Sequence, residues 1–514
     1  MLTSEIIDLI NSIEAEFPVS SWRINGVKVW PLIRIRLNFD LYYFHYTKST
    51  PKKGTVGKVV AKLTRQGRSV VKYLEAVVRD AAKNDSVTSS CDVLLLSDGV
   101  SFTKINGDWL ERFCDPIIDE LHRKGYKSLL LTPTENYCIP RRTPSRFIQP
   151  HLDAVFMLSE FKFRLSGAPV LHLPGYQDVI DYLAASGCEV LLPTIDALSR
   201  QVCLIMGYAH YFRSLLVKLR PSVTFVVSYY GNEGMAFNLA CRQQKVSCID
   251  IQHGVQGELH VAYGRWKSVP EDGYELLPSH FWCWQPEDLA AITAWSPQKY
   301  HQPLLGGNLW LDLWLKGTAE FVQTCDKTIG SFKQHQQASL NILVTLQSNL
   351  DDRDTLKPLL LAIGEADSSM FWWIRLHPCM LGRRRYIRDL LNSTGNQRFD
   401  LDMATDQPLY AILRHVDAHV THSSSTVIEA REFGVPSVIF SRYGMEFFTE
   451  SIESGWALVA GDQNVLPSIL QQMDKRTWLR EQHPLFRQEQ QGLAHVMAML
   501  EESKKIQKEM MSRS

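Results

Sequence analysis

The chain has 514 residues, with Lys plus Arg and Asp plus Glu equal at 55 each. That length suits two large domains with separate cores, and the balanced charge gives no global signal for a nucleic-acid partner. Ten cysteines lie scattered at Cys91, Cys114, Cys138, Cys188, Cys203, Cys241, Cys248, Cys283, Cys325 and Cys379 with no C-x-x-C pair, which fits reduced structural thiols better than a disulfide framework or zinc site.

The opening MLTSEIIDLINSIEAEFPVS is acidic where a secretory signal needs a basic start and a clean apolar core. No run approaches the ~18 apolar residues of a membrane span. The expectation is a cytoplasmic protein, with peripheral work at the cytoplasmic face of the inner membrane left open by its first region, residues 1–85. There Ile6, Ile7, Leu9, Ile10 and Ile13 suit a helix, and Trp22, Trp30, Phe39, Tyr42, Tyr43, Phe44 and Tyr46 add aromatic surface. From Lys52 to Lys83, nine Lys or Arg stand against Glu75 and Asp80. Such an excess suits anionic lipid or the phosphates of a lipid-linked acceptor, and equally an ordinary solvated helix face.

Apolar runs at 92–97, 127–132, 153–158, 188–192, 222–228 and 246–251 predict strands, with helical patterns between several of them, as at 110–124 and 176–186. Such alternation predicts a largely parallel sheet covered on both faces. The aromatic cluster at 281–284 and Gly306-Gly307-Asn308 precede a polar stretch, and an interdomain crossing is expected within 300–338. A second series then follows, with strands at 341–346, 371–376, 416–420, 436–440 and 455–459 and helices at 353–363, 406–414, 426–433 and 463–472. The resulting division is 1–85, 86–320, 321–484 and a helical tail 485–514 that packs back across the first domain. Two α/β domains facing a cleft place ligands outside the carboxyl ends of the strands.

Two motifs in the second series suit a phosphate. His377-Pro378 follows FWWIRL directly, and proline holds the preceding residue extended. The imidazole is then placed to donate to a donor phosphate, with added charge if its pKa rises near the anion. Ser423, Ser424, Ser425 and Thr426 follow the strand VDAHV. Thr426-x-x-Glu429 has capping-box spacing, so Thr426 is a candidate cap and Glu429 either completes the box or reaches a ribose hydroxyl. In the first half, Asp98-Gly99 leaves the first strong strand, YYGNEG carries Glu233, and Gln252-His253-Gly254 follows an I-x-I strand. Glu233, His253 and Asp98 compete as the base for an acceptor hydroxyl, with Glu258 and His260 as neighbours and His253 equally readable as a structural histidine. Glu271-Asp272-Gly273 is a further acidic candidate for catalysis, but it lies in an apparent loop, where a solvent-facing turn is the simpler reading. No cluster has metal spacing, and no G-x-G-x-x-G or G-x-x-x-x-G-K-[ST] occurs.

The HP pair at 377–378, SSST at 423–426, EA at 429–430 and G-x-P at 434–436 resemble the donor half of GT-B glycosyltransferases. They are most similar to bacterial capsule and lipopolysaccharide enzymes that use CMP-sugars such as sialic acid or Kdo. That resemblance implies a GT-B α/β fold of two Rossmann-like domains. It also implies donor-phosphate contacts from His377, Pro378 and Ser423–Ser425, with Glu429 on ribose. The implied substrates are a nucleotide-sugar co-substrate, without metal or other cofactor, and a surface-polysaccharide or lipid-linked glycan acceptor. Envelope-polysaccharide assembly proteins are the implied protein partners. Q-H-G also resembles teichoic-acid polymerases, so a CDP-alcohol phosphotransferase stays open, as do a nucleotide-sugar epimerase and a non-catalytic assembly scaffold.

Overall fold

A computed structural model of the chain describes residues 3–42, 90–105, 107–134, 142–165, 168–188, 192–297, 299–347, 353–460, 466–472 and 491–512. The basic stretch 52–83, Tyr43, Phe44, Tyr46 and Cys138 lie outside them.

The first domain is built on seven parallel strands: β1 (Val93–Leu96), β2 (Ser128–Thr132), β3 (Ser145–Phe147), β4 (Val223–Val227), β5 (Ser247–Ile251), β6 (His280–Cys283) and β7 (Gln302–Leu305). Their order is β7-β6-β5-β4-β1-β2-β3. The central strands read VLLL, SLLLT and VTFVV and are buried throughout, as a sheet covered on both faces requires. The second domain holds β8 (Leu340–Thr345), β9 (Met370–Arg375), β10 (Phe399–Asp400), β11 (Ala418–Thr421), β12 (Ser437–Ile439) and β13 (Ala457–Val459), again all parallel, in the order β10-β9-β8-β11-β12-β13. Both sheets therefore have a doubly wound order that reverses beside the first strand, between β1 and β4 and between β8 and β11.

Helices α1 (Thr3–Glu16) and α2 (Trp30–Tyr42) share one core with Leu94, Leu96 and Val226 of the first sheet. Arg34 on α2 is fully buried. It donates to Glu14 at 2.8 Å and to the carbonyls of Val261 and Gly264, fixing the segment that follows Q-H-G. The same helices reach the second domain, where the Thr3 N–H donates to Glu446 at 2.6 Å and Tyr42 packs on Tyr443.

The expected strand at 153–158 is instead part of α4 (Gln149–Leu165). Short apolar runs do not distinguish the two states, and here the pattern continues for 17 residues. Residues 110–124 divide into a hairpin strand, Asp108–Glu111, and α3 (Cys114–Arg123). Of the expected strand at 188–192, only Cys188 and Leu192 are described, and both are buried. Helix α5 (Ile195–Leu219) is long and apolar enough to cross a membrane by composition alone, contrary to the expectation that no segment would be. Val202, Ile205, Phe212 and Leu216 on one side of it lie in the first core.

The chain crosses at Gly306-Gly307. A Cβ on Gly306 would lie 1.9 Å from the Trp282 ring. Beyond it, α7 (Leu309–Lys316) and α8 (Glu320–Gln336) pack with Leu343, Phe371 and Trp373 of the second sheet. The closing helix α10 (Gln491–Ser512) returns to the first sheet, where Leu493, Val496 and Leu500 cover Val93, Val223 and Trp282.

Candidate active site

At the first switch point the chain leaves β1 through Ser97-Asp98-Gly99 and β4 through Ser228-Tyr229-Tyr230. Asp98 closes its own turn, accepting from the Val100 and Ser101 N–H groups at 2.9 Å each and from the Ser101 hydroxyl at 2.6 Å. Gly99 has φ +78°, and a Cβ there would meet the Pro133 carbonyl oxygen at 2.0 Å, so glycine is required. Ser228 adopts φ +61°, uncommon for a side chain-bearing residue. Asp250 on β5 holds that loop from below. It is fully buried and accepts from the Tyr229 N–H at 3.0 Å and the Tyr263 hydroxyl at 2.9 Å; burial pushes its carboxyl up to about 8. Ser97, Asp98, Gln149, Ser228 and Glu233 line a pocket of about 200 Å³. Two residues singled out separately in the sequence, Asp98 and Glu233, thus share one pocket; Glu233 stands in the first turn of α6 (Asn232–Gln244).

His253 lies at the exit of β5, between Phe113 and Tyr230, and its Nε2 is 3.1 Å from the Tyr230 hydroxyl. Burial lowers its pKa, opposed in part by the Asp98 charge, so the ring rests neutral. His260 is pressed to about 3 by burial and accepts from the Ala262 N–H, a structural arrangement. Glu258 is exposed.

In the second domain, His377 is extended at φ −64° and ψ 146°, and its Nδ1 accepts from the Cys379 N–H at 3.2 Å. That bond puts the neutral ring's proton on Nε2, leaving a donor. Burial, and then Arg112, lower its pKa, so without an anion the imidazole is uncharged. The serine turn departs from the capping-box expectation. The N-cap position of α9 (Thr426–Glu432) is Ser425, with no side-chain cap; the Ser424 hydroxyl accepts from the Thr426 N–H at 3.3 Å. Thr426 is the first helical residue and is buried against the Ser424 hydroxyl at 2.9 Å. Glu429 accepts from the Tyr410 hydroxyl at 2.6 Å instead of closing a box, and Tyr410 in turn receives the Asn308 amide. Burial raises the Glu429 pKa. Since α9 has only seven residues, hydroxyls rather than a helix dipole are the main polar resource of this turn.

The two domains meet at these motifs. A Cβ on Gly254 would stand 3.9 Å from the Ser425 hydroxyl, and Val255 packs with Val427 and Ile439. Beside this contact an interdomain cavity of about 440 Å³ is lined by Gly99 and Arg112 from the first domain and by Arg375, Pro378, Gln407 and Tyr410 from the second. Its size is that of a small-molecule site. Gly99 lines the cavity while its neighbour Asp98 lines the smaller pocket, so the two are adjacent. His253, His377, Ser423–Ser425, Thr426 and Glu429 are not among the residues lining either space; Glu429 faces a separate small pocket with Asn308 and Glu432, and His377 adjoins the cavity through Pro378.

Arg112 and Arg375 were missed in the sequence. The Arg112 Nε donates to the Ser101 carbonyl at 3.4 Å, and its charge acts on His253, Arg375, His377 and Glu429 together. Arg375 donates to the Ala404 and Gln407 carbonyls, and burial lowers its pKa to about 10. Two guanidinium groups in one cavity suit a phosphate anion. A signal for Arg375 was present in the arginine two residues before His377; Arg112 sits in a turn hidden within the expected helix 110–124.

Glu271-Asp272-Gly273 is elsewhere. Asp272 pairs with Lys28 at 2.6 Å, and the Tyr274 N–H donates to His301, which immediately precedes β7. The loop therefore lies at the amino ends of β6 and β7, opposite the cleft. Among the described residues no His, Cys, Asp and Glu cluster could hold a metal ion.

No protein-family model and no curated protein matches the chain. Among solved structures, it is similar to a putative UDP-N-acetylglucosamine 2-epimerase from Listeria monocytogenes, at 11% identity over 81% of this chain and 97% of that one, with a TM-score of 0.48. UDP-GlcNAc 2-epimerase from Methanocaldococcus jannaschii gives 14% identity, 79% and 98% coverage and a TM-score of 0.47. The wall teichoic acid polymerase TagF gives 11% identity, 86% and 98% coverage and a TM-score of 0.45. These likenesses assign no residue a role. The chain's own topology, two Rossmann-like parallel α/β domains with their carboxyl edges turned to a shared cleft, is that of the GT-B fold.

Proposed function

We propose that the protein is a GT-B-type enzyme that binds a nucleotide sugar in the interdomain cavity and transfers its sugar to a hydroxyl of a surface-polysaccharide or lipid-linked glycan acceptor. The observation carrying this reading is the convergence of Arg112, Arg375, Pro378 and Tyr410 on one cavity beside the Asp98–Glu233 pocket. In this scheme the donor phosphate lies near Arg112, Arg375 and His377 Nε2–H, which offset the charge that develops on the leaving nucleotide. Tyr410, which lines the cavity and is held from behind by Glu429, supplies the ribose contact, and the serine turn closes against Gly254. The acceptor hydroxyl enters the smaller pocket, where Asp98 or Glu233 takes its proton, with His253, outside that pocket's lining at the exit of β5, as the competing base. CMP-linked Kdo or sialic acid is the first donor class to test.

The pairing of Asp98 with Glu233 also favours a second reading, an epimerase, because two carboxyls around one substrate carbon can remove and return its proton. Product analysis in D₂O separates the two. A transferase yields free nucleotide and a heavier glycan only with acceptor present. An epimerase needs no acceptor and places solvent deuterium on the sugar carbon; that result would replace the transferase reading. A CDP-alcohol phosphotransferase would instead leave a phosphodiester in its product.

A further inference from the structure

Helix α4 carries apolar residues that the cleft chemistry does not use. It buries only Pro150, Leu152 and Ser159, whereas Leu158, Phe161 and Leu165 are 66%, 63% and 71% exposed. Their spacing of three and four puts them, with Lys162, on one helix face. An adjoining side meets α5 so closely that a Cβ on Gly207 would lie 2.4 Å from the Ser159 hydroxyl oxygen. Beside that crossing runs a groove of about 730 Å³, lined by Leu158, Lys162, Met206, His210, Arg213 and Asn25. The Asn25 N–H donates to the Val170 carbonyl, which carries the apolar surface on to Val170, itself 75% exposed.

Charge indicates what covers this surface. The two helices carry Lys162, Arg164, Arg200, Arg213 and Lys218 against Asp153, Glu160 and Asp196. Glu160 and Asp196 both accept from Arg200, and Asp153 accepts from Gln149, so the carboxylates are engaged within the face. Exposed Leu and Phe interleaved with Lys and Arg suit a bilayer surface, apolar groups entering the acyl boundary and cations meeting lipid phosphates. The location fits as well. Gln149, the first residue of α4, lines the pocket of Asp98 and Glu233, and at about 1.5 Å per residue the exposed stripe begins roughly 14 Å along the helix.

We propose that the face formed by α4 and α5 docks on an anionic bilayer, with Leu158, Phe161 and Leu165 in the acyl boundary and Lys162, Arg164 and Arg213 at lipid phosphates. The test is co-sedimentation of the full chain, without nucleotide, with phosphatidylcholine vesicles and with vesicles also containing phosphatidylglycerol. Wild type is expected to bind the anionic vesicles preferentially. Leu158→Asp/Phe161→Asp and, separately, Lys162→Glu/Arg164→Glu should each weaken that binding by more than about tenfold with an unchanged melting temperature. Unchanged binding in both variants would overturn the proposal and move the contact to other residues, such as 52–83. Absence of vesicle binding by wild type would also overturn it, and a dimer that Leu158→Asp/Phe161→Asp converts to monomer would then assign the face to a second copy of the chain.

Discussion

His377 illustrates how a short motif acquires chemistry from its surroundings. The proline fixes its backbone, the Cys379 N–H fixes its tautomer, and burial together with Arg112 keeps it neutral. Removing the Nε2–H donor should weaken nucleotide binding by about 1.5–3 kcal/mol, measurable by calorimetry on His377→Ala. Arg112→Ala should weaken it at least as much, because that charge acts on several groups of the cleft at once. Buried carboxyls give a second prediction. Asp250 and Glu111 are both raised to about 8 by burial. Each favours its protonated form in the fold, so its contribution is complete below the unfolded pKa near 4 and falls as pH rises toward 8. Asp250→Asn, which keeps the hydrogen-bonding shape without the titration, should therefore lose less melting temperature than wild type between pH 5 and about 8. A parallel decline of the two proteins would contradict that assignment.

At the scale of elements, strands such as VLLL, VTFVV and FWWIRL were legible because buried parallel strands are near-continuous apolar runs, whereas β3, β6, β7 and β10 were not among the expected strands. Helix α4 was not legible, since DAVFML has the same composition in either state, and its exposed side chains break the rule that apolar runs are buried. The serine turn was legible as a turn, but its capping pattern was not. Tyr410 removes Glu429 from the box, and a hydroxyl contributed by another helix leaves no trace in the spacing. Arg112 was hidden for a related reason, being placed by a hairpin read as helix. Turn geometry at the first switch point gives a sharp prediction. Gly99→Ala introduces a Cβ against the Pro133 carbonyl at positive φ, and should destabilise the protein by about 2–4 kcal/mol, seen as a lower denaturation midpoint.

For the molecule as a whole, the cleft is bridged at several places. Thr3 bonds to Glu446, the Q-H-G turn packs on the serine turn, and α10 returns to the first sheet. Such bridging holds two domains in register while Gly306-Gly307 supplies the crossing. Gly254→Leu adds bulk where the turns meet, and should lower turnover more than stability; equal losses in both would argue that the contact is only structural. On the proposed function, the cavity around Arg112, Arg375 and Tyr410 binds a nucleotide. Calorimetric titration of the purified full chain with CMP, CDP and UDP, in wild type and His377→Ala, tests it most directly. Saturable binding of one of the three, weakened by the substitution, is expected. Absence of binding to all three, or binding indifferent to His377→Ala and Arg112→Ala alike, would contradict it.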